Sequence, residues 1–275
     1  MQPDNSVVTE FPGTPDTGIT EARVYAAIAD VLDPELDEPL VSLGFIDRVK
    51  VDGPDVTVAF KLPTYWCSPN FAYLMAGDLR ARIRALPGIR TARIELLDHC
   101  AEDEITTGIN RGQSFAETFV GEVFGDEDLE ELRRTFLRKG FLMRQDRLLR
   151  HMLKAGLDEA TILTLQVADL IVDEAEDQAC VATPRGAVCL AGAGRTAAAY
   201  LRKGAAIGLL QAQDDLLITD DKGQPIAPGG LREFLRRSRS VRLNIMFNTS
   251  MCKSLFRVRY ENAGASEAHQ EEEIP

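Results

Sequence analysis

The sequence has few histidines, a single tryptophan and no long hydrophobic run, and these shortages exclude several classes of function. His99, His151 and His269 are its three histidines, and none lies in a pattern with serine and an acid that would indicate a hydrolase. No apolar run reaches the ~20 residues that a membrane-spanning helix needs. The first residues have neither a basic region nor an apolar core, so we predict no signal peptide and expect a cytoplasmic protein.

Cysteine is also scarce, and the five cysteines are an odd number. Without a secretion signal, this count favours free thiols or metal ligands over a disulfide scaffold. The net charge of −12 repels nucleic acid and anionic lipid, so neither is an expected partner.

Hydrophobic periodicity divides the chain into two α+β units, the second of which begins with a helical subdomain. We expect a disordered lead over 1–19, a small domain over 20–98, a connection over 99–125, a second domain over 126–262 and an acidic disordered tail over 263–275.

The small domain is predicted to run helix, strand, strand, helix, strand. Thr20 caps the first helix, and Asp52-Gly53-Pro54-Asp55 turns the chain between two strands. A second helix begins at Pro69 and ends before Gly88, and a third strand follows.

The second domain is predicted to begin with helices around Leu129–Leu137 and Leu148–Leu153, followed by one that Asp158 caps. The later expectations are a hairpin around residues 180–189, a helix at 196–202, strands at 207–211 and 216–219, a short helix at 231–237, and closing strands at 241–247 and 255–260.

Cys67 is the residue with the clearest chemical context. Ser68 is a good helix N-cap and Pro69 suits the first helical position, so the thiol lies just before a helix N-terminus. Free N–H groups and the helix dipole there favour a thiolate, which is the form that attacks electrophiles and binds metals. The alternative is that Cys67 is a small buried hydrophobe beside Trp66.

Several motifs in the small domain occur in the order and at the spacing of a known family. They are Asp33-Pro34-Glu35-Leu36, Leu40-Val41-Ser42-Leu43-Gly44-Phe45-Ile46, Pro63-Thr64-Tyr65-Trp66-Cys67-Ser68-Pro69 and Leu86-Pro87-Gly88-Ile89. With them, residues 20–98 resemble the iron–sulfur cluster assembly domain of SufT-like and PaaD-like proteins. Two differences lie at the presumed site: the family usually has Asp at Ser42, and Pro directly after the cysteine where this chain has Ser68.

The resemblance implies that Cys67 holds or transfers iron or a transient iron–sulfur cluster. Since a cluster normally needs about four protein ligands, a homodimer with a second Cys67, or other residues, would complete the site. Asp33, Glu35 and Thr64 are the expected supporting residues, although Asp33 can equally make a local turn. His99 and Cys100 are metal-compatible, but a solvated loop is the preferred interpretation there.

A second thiol or metal site is considered at Cys180, Cys189 and Cys252. If Pro184-Arg185 forms a two-residue hairpin loop, Thr183 faces Gly186 and Cys180 lies directly opposite Cys189. Such a pair can share a metal or form a disulfide, with Cys252 as a third ligand. The alternative is that both residues lie on the core face of the hairpin.

Two further patterns are a glycine-rich segment and a group of arginines. Gly192-Ala-Gly194-Arg-Thr-Ala197 matches the form of a dinucleotide-binding loop, but a glycine turn after a hairpin arm is favoured. The arginines of residues 133–150 pair with neighbouring acids or dock an acidic partner, and the partner-binding residues would be Arg144, Arg147 and Arg150.

Taken with these patterns, the resemblance implies a cytoplasmic, non-enzymatic maturation factor. It would deliver an iron–sulfur or iron centre to a client metalloenzyme, for which an iron-dependent monooxygenase is one expectation, and would contact other iron–sulfur assembly proteins. The second domain would recognise the client. A metal-free adaptor or folding chaperone is the alternative.

Overall fold

The structure is a computed structural model that describes residues 18–121 and 127–261. Its α+β class, with the predicted order of elements in the small domain and a helical start to the second, is confirmed. The chain folds as two units. Unit 1 takes the chain up to Val31 together with Pro39–Thr118, and unit 2 takes Leu32–Glu38 and everything from Phe119 onward.

Unit 1 is built on a three-stranded sheet in the order β3-β4-β5. The tight turn at Gly53, with φ +55°, joins β3 and β4 as an antiparallel hairpin. A helical crossover, α3, makes β5 parallel to β4. Along residues 18–121, which include the segment Leu32–Glu38 of unit 2, the elements are α1 (Glu21–Ile28), β1 (Leu32–Asp33), β2 (Glu38–Pro39), α2 (Leu40–Leu43), β3 (Ile46–Asp52), β4 (Asp55–Lys61), α3 (Pro69–Arg84), β5 (Thr91–Leu97), α4 (Glu102–Arg111) and α5 (Phe115–Thr118).

Helix α4 lies in the segment expected to be a connection and is packed in unit 1, with Ile105 and Ile109 buried. Its polar side chains bond to the outer edge of β5. Asn110 accepts from the N–H of Ile94 at 2.9 Å and donates to the Ile94 carbonyl at 2.7 Å, and Thr106 accepts from the N–H of Leu96 at 3.1 Å. Because an edge strand otherwise exposes unpaired backbone groups, α4 both caps the sheet and fixes the end of β5.

Unit 2 packs two long helices and a shorter one with an antiparallel sheet in the order β6-β7-β8. Tyr200 is fully buried at its centre, stacked on Phe141 with ring centroids 4.9 Å apart, and its hydroxyl donates to the Leu217 carbonyl at 2.6 Å. The elements are α6 (Glu127–Lys154), α7 (Glu159–Ile162), a 3-10 turn (Val167–Asp169), β6 (Leu170–Asp173), β7 (Gln178–Thr183), β8 (Gly186–Ala191), α8 (Gly194–Ala206), α9 (Leu231–Phe256) and a π-helical turn (Arg257–Glu261).

Several expectations for unit 2 are wrong. The closing strands at 241–247 and 255–260 are helical, because Leu231, Phe234, Ser238, Ile245 and Thr249 recur at helical spacing and bury one face of α9. The predicted strands at 207–211 and 216–219 are loop segments whose Leu210, Leu217 and Ile218 nevertheless enter the core. The helix capped by Asp158 is a single turn, and a strand that we did not predict, β6, follows.

The glycine turn after β8 is confirmed. Strand β8 is an antiparallel hairpin arm, so the parallel unit that a dinucleotide-binding loop requires is not formed around Gly192-Ala-Gly194. A Cβ on Gly194 would lie within 2.4 Å of backbone atoms of Asp173 and Gln178. Glycine is therefore required here for close packing of α8 against the sheet.

No helix within the described ranges is long and apolar enough to cross a membrane.

Candidate functional site

Cys67 lies immediately before helix α3, as predicted. Pro69 occupies the first helical position and Ser68 the N-cap, although the Ser68 side chain makes no capping hydrogen bond. The Ser68 carbonyl instead accepts from the N–H groups of Phe71 and Ala72, both at 3.1 Å. The half-buried Cys67 thiol is thus carried on the residue that leads into a helix N-terminus.

Thr64 is the closest described polar neighbour of this thiol. Its hydroxyl oxygen lies 3.3 Å from the Cys67 sulfur, and the Cys67 N–H donates to the Thr64 carbonyl at 3.4 Å in a tight turn. A hydroxyl can donate to a thiolate or accept from a thiol. The structure therefore brings the expected supporting residue Thr64 to Cys67.

His99 holds the Cys67 loop through the backbone. Its side chain is buried, with Nε2 2.7 Å from the Cys67 carbonyl oxygen, and its Nδ1 accepts from the Ala101 N–H at 3.1 Å. With Nδ1 as the acceptor, the Nε2–H is the group that donates to the Cys67 carbonyl. The expectation of a solvated loop is wrong for His99: both ring nitrogens are bonded inside the protein, and the residue positions the loop.

Cys100 adds a second free thiol to the same region. Its backbone N–H donates to the Tyr65 carbonyl at 2.9 Å, and its sulfur lies 4.0 Å from His99 Nδ1. The segment after β5 is therefore bonded to the Cys67 loop at Tyr65 and at Cys67. The sequence signal was the pair His99-Cys100 directly after a strand.

Two aromatic side chains stand out from the loop beside the thiol. Trp66 is 77% exposed and Tyr65 44% exposed, and their rings form an edge-to-face pair with centroids 4.9 Å apart. Exposed tryptophan and tyrosine are typical anchors of protein interfaces. The surface around Cys67 is thus suited to contact with another protein.

Across residues 18–121 and 127–261, no group of three or more His, Cys, Asp or Glu side chains converges as a metal site. Cys67 and Cys100 are the thiols that this loop region offers.

Asp33 and Glu35 belong to unit 2, whereas Cys67 belongs to unit 1. The Asp33 carboxylate accepts from the N–H groups of Glu35 and Leu36, both at 2.9 Å, which is the local turn weighed as the alternative. Burial raises the pKa of Asp33 to about 6, against the lowering effect of those two bonds. Glu35 accepts from the Asn248 amide at 3.2 Å. Their support of Cys67 stays a prediction.

Asp37, a further acid of this segment that no local sequence pattern indicated, is buried against two basic side chains. Asp37 is buried between Arg144, whose Nε lies 2.7 Å from Oδ2, and Lys203, whose ammonium contacts Oδ1. Arg144 also donates to the Asp37 carbonyl at 2.8 Å. Burial lowers the pKa of Lys203, and Asp37 opposes that shift. The positive φ of Asp37, 54°, was not visible in the sequence.

Of the three arginines predicted to bind a partner, only Arg150 is exposed. Arg144 is engaged with Asp37, and the partly buried Arg147 has its pKa lowered by burial and by the nearby charge of Arg144. Arg150 pairs with the buried Asp146 at 2.8 Å, as Arg242 does at 2.7 Å. The alternative of pairing with neighbouring acids therefore describes Arg144 and Arg150, and partner binding by these arginines stays a prediction.

The hairpin register of the second cysteine group is confirmed. Thr183 pairs with Gly186 and Cys180 with Cys189, and the two sulfurs form a disulfide with Cα atoms 4.0 Å apart. Cys189 is exposed, so the alternative that both lie on the core face is wrong. The expectation of free thiols or metal ligands is corrected for this pair, because its sulfurs are bonded to each other. Cys252, on α9, is half-buried and is not part of a disulfide.

Unit 1 is thus a small α+β domain that presents a thiol at a helix N-terminus on an aromatic-rich loop. In a comparison with known proteins, residues 21–96 match the family model described as iron-sulfur cluster assembly protein. The prediction of an iron–sulfur cluster assembly domain is confirmed for this part of the chain. Neither the curated proteins nor the solved structures gave a match.

Proposed function

We propose that this protein is an assembly factor that passes an iron–sulfur or iron centre to a client enzyme, with Cys67 as the transfer residue. The observation that carries the proposal is the placement of Cys67 at the start of α3 in a domain of the iron–sulfur cluster assembly family. The Thr64 hydroxyl at 3.3 Å and the His99 bond to the Cys67 carbonyl hold the thiol in one orientation.

In this proposal the metal centre is cargo. A Cys67 thiolate replaces one ligand of the incoming centre and is itself replaced when the centre moves to the client, so each step exchanges one iron–sulfur bond for another. Cys100 is suited to act as a second ligand from the adjoining segment. The remaining ligands come from the donor, from the client or from a second copy of this chain in a homodimer.

Unit 2 is proposed as the client-recognition part, and an iron-dependent monooxygenase in the cytoplasm as the client. The iron–sulfur cluster assembly family is not a class of enzymes, which supports a non-enzymatic role.

Transfer kinetics from the full-length protein test the proposal. The protein is loaded anaerobically with iron and sulfide, and the appearance of a cluster in an apo-ferredoxin is followed by its absorbance. Cys67→Ser should slow transfer at least about tenfold, whereas Cys252→Ser, at a cysteine on α9 that is in no disulfide, should leave it unchanged. Equal rates for the two variants would remove the assigned role from Cys67.

A metal-free adaptor is the second candidate, and one observation favours it. Because no three potential ligands converge in the described ranges, the loop with its exposed Trp66 and Tyr65 can also serve as a binding platform alone. In that case Trp66→Ala would abolish client binding, and Cys67→Ser would leave both client binding and client activation intact.

A further inference from the structure

Helix α9 packs against the rest of unit 2 with one of its faces. Its buried side chains lie on one side, and at 100° per residue the opposite side points outward. That outward face carries large apolar side chains that are 45–64% exposed: Leu243, Phe247 and Met251. Apolar side chains clustered on one exposed helix face are typical of an interaction surface.

The same face continues toward the N-terminus of α9 as a basic cleft. Arg232, Arg236 and Arg239 have a helical phase close to that of Leu243. With Arg150 from α6, and with Glu233 and Leu235 of α9, they line a cleft of about 430 Å³. The outward face of α9 therefore has a basic half and an apolar half. From Arg232 to Met251 it extends for roughly 30 Å.

Arg150 is engaged with the buried Asp146, but the three cleft arginines of α9 retain capacity for a ligand. Arg236 pairs with Glu233 on the helix surface, an arrangement with little energetic weight because both side chains are exposed. In the described parts of the chain, Arg232 and Arg239 are exposed and have no carboxylate partner. Six basic side chains and one acidic side chain lie on α9, whereas the whole chain has a net charge of −12.

From this arrangement we infer that the outward face of α9 is a docking site for an amphipathic segment of a partner protein, with carboxylates at one end and apolar side chains at the other. Glutamates and aspartates of the partner would occupy the arginine cleft, and its apolar residues would cover Phe247 and Met251. Charge complementarity gives orientation, and the apolar contact excludes water.

Neither a second copy nor a membrane suits this face as well. Two copies of α9 side by side would place arginine against arginine if parallel, and arginine against the apolar half if antiparallel. A helix lying on a membrane needs an apolar stripe along its whole length, whereas Arg232–Arg239 occupy half of this face. The net charge of −12 also opposes an anionic bilayer.

A fluorescent synthetic peptide tests the inference on the full-length protein. The probe is a helix-forming peptide with glutamates on one face of its first turns and leucine and phenylalanine on the same face of its later turns. Anisotropy should show binding that weakens as salt increases. Arg232→Glu with Arg239→Glu, or Phe247→Ala with Met251→Ala, should each reduce affinity at least about tenfold, which corresponds to about 1.4 kcal/mol.

The controls are equally exposed residues elsewhere. Lys222→Glu and Ile171→Ala should leave affinity unchanged, because both residues lie outside α9. Circular dichroism identical to the parent protein shows that the α9 variants are folded.

Four results would overturn the inference. An all-glutamate peptide that binds as tightly as the probe would show a purely ionic site. Binding to phosphatidylcholine–phosphatidylserine vesicles that the arginine reversals abolish would assign the face to membranes. A dimer that Phe247→Ala with Met251→Ala dissociates would assign it to a second copy. A gain in probe affinity on removal of residues 262–275 would assign it to the chain's own C-terminal residues.

Discussion

Replacing Asp37 by Asn should destabilise unit 2 more than the loss of a surface ion pair would. The Asp37 side chain is 1% exposed and faces Arg144 at 14% and Lys203 at 9%. Removing one member of a buried charge group leaves the others unpaired in a medium of low polarity, which costs about 3–5 kcal/mol. The pair Arg202–Glu174, with side chains 62% and 48% exposed, should contribute less than about 1 kcal/mol.

Urea unfolding followed by far-UV circular dichroism measures the difference. Glu174→Gln is the matched control, since it also removes one carboxylate from a basic partner within unit 2. Combining Asp37→Asn with Lys203→Met should cost less than the sum of the two single changes, because no unpaired ammonium remains. If Asp37→Asn costs no more than Glu174→Gln, the segment 32–38 is not held by these charges and the reasoning is refuted.

Three other predictions follow from individual contacts. The pKa of Asp33 is raised to about 6 from an ordinary 3.8, so between these two pH values the native state binds more protons than the unfolded state. The protein therefore loses stability as pH rises through this range. Asp33→Asn should stabilise it by up to about 3 kcal/mol at neutral pH, and in denaturation curves the gain should vanish below about pH 4. Gly140→Ala should destabilise α6 although alanine favours helices, since the new Cβ would lie 2.8 Å from Asp37 Oδ1. In an Asp37→Ala background the same change should instead stabilise the protein. A loss of stability in both backgrounds would show that a clash with Asp37 is not the cause. A maleimide should label three cysteines of the denatured oxidised protein and five after reduction, as counted by mass spectrometry, and five without reductant would exclude the Cys180–Cys189 disulfide.

Local signals predicted unit 1 well because its elements have strong boundaries. Thr20 caps α1 through the Arg23 N–H, and Pro69 begins α3, so capping and proline positions located the Cys67 loop correctly. The position of Cys180 opposite Cys189 followed from counting along a hairpin, since a strand has a period of two.

Local sequence patterns did not predict the long-range contacts. The alternation Val241, Leu243, Ile245, Phe247 resembles a strand, and only the burial of Leu231, Phe234 and Ile245 against unit 2 selects the helix. Asp37 meets Lys203 across 166 residues, and no local pattern indicates that partner. His99 was underestimated because its bond to the Cys67 carbonyl joins segments that only the sheet brings together.

The capacity of the full-length protein to hold iron and sulfide through Cys67 tests the central claim most directly. After anaerobic reconstitution with iron and sulfide, bound iron and sulfide are measured for the parent protein, Cys67→Ser, Cys100→Ser and Cys252→Ser. The account predicts that Cys67→Ser loses most of the bound iron and sulfide, that Cys100→Ser loses part of it, and that Cys252→Ser matches the parent protein. Iron and sulfide retained in full by Cys67→Ser would contradict it.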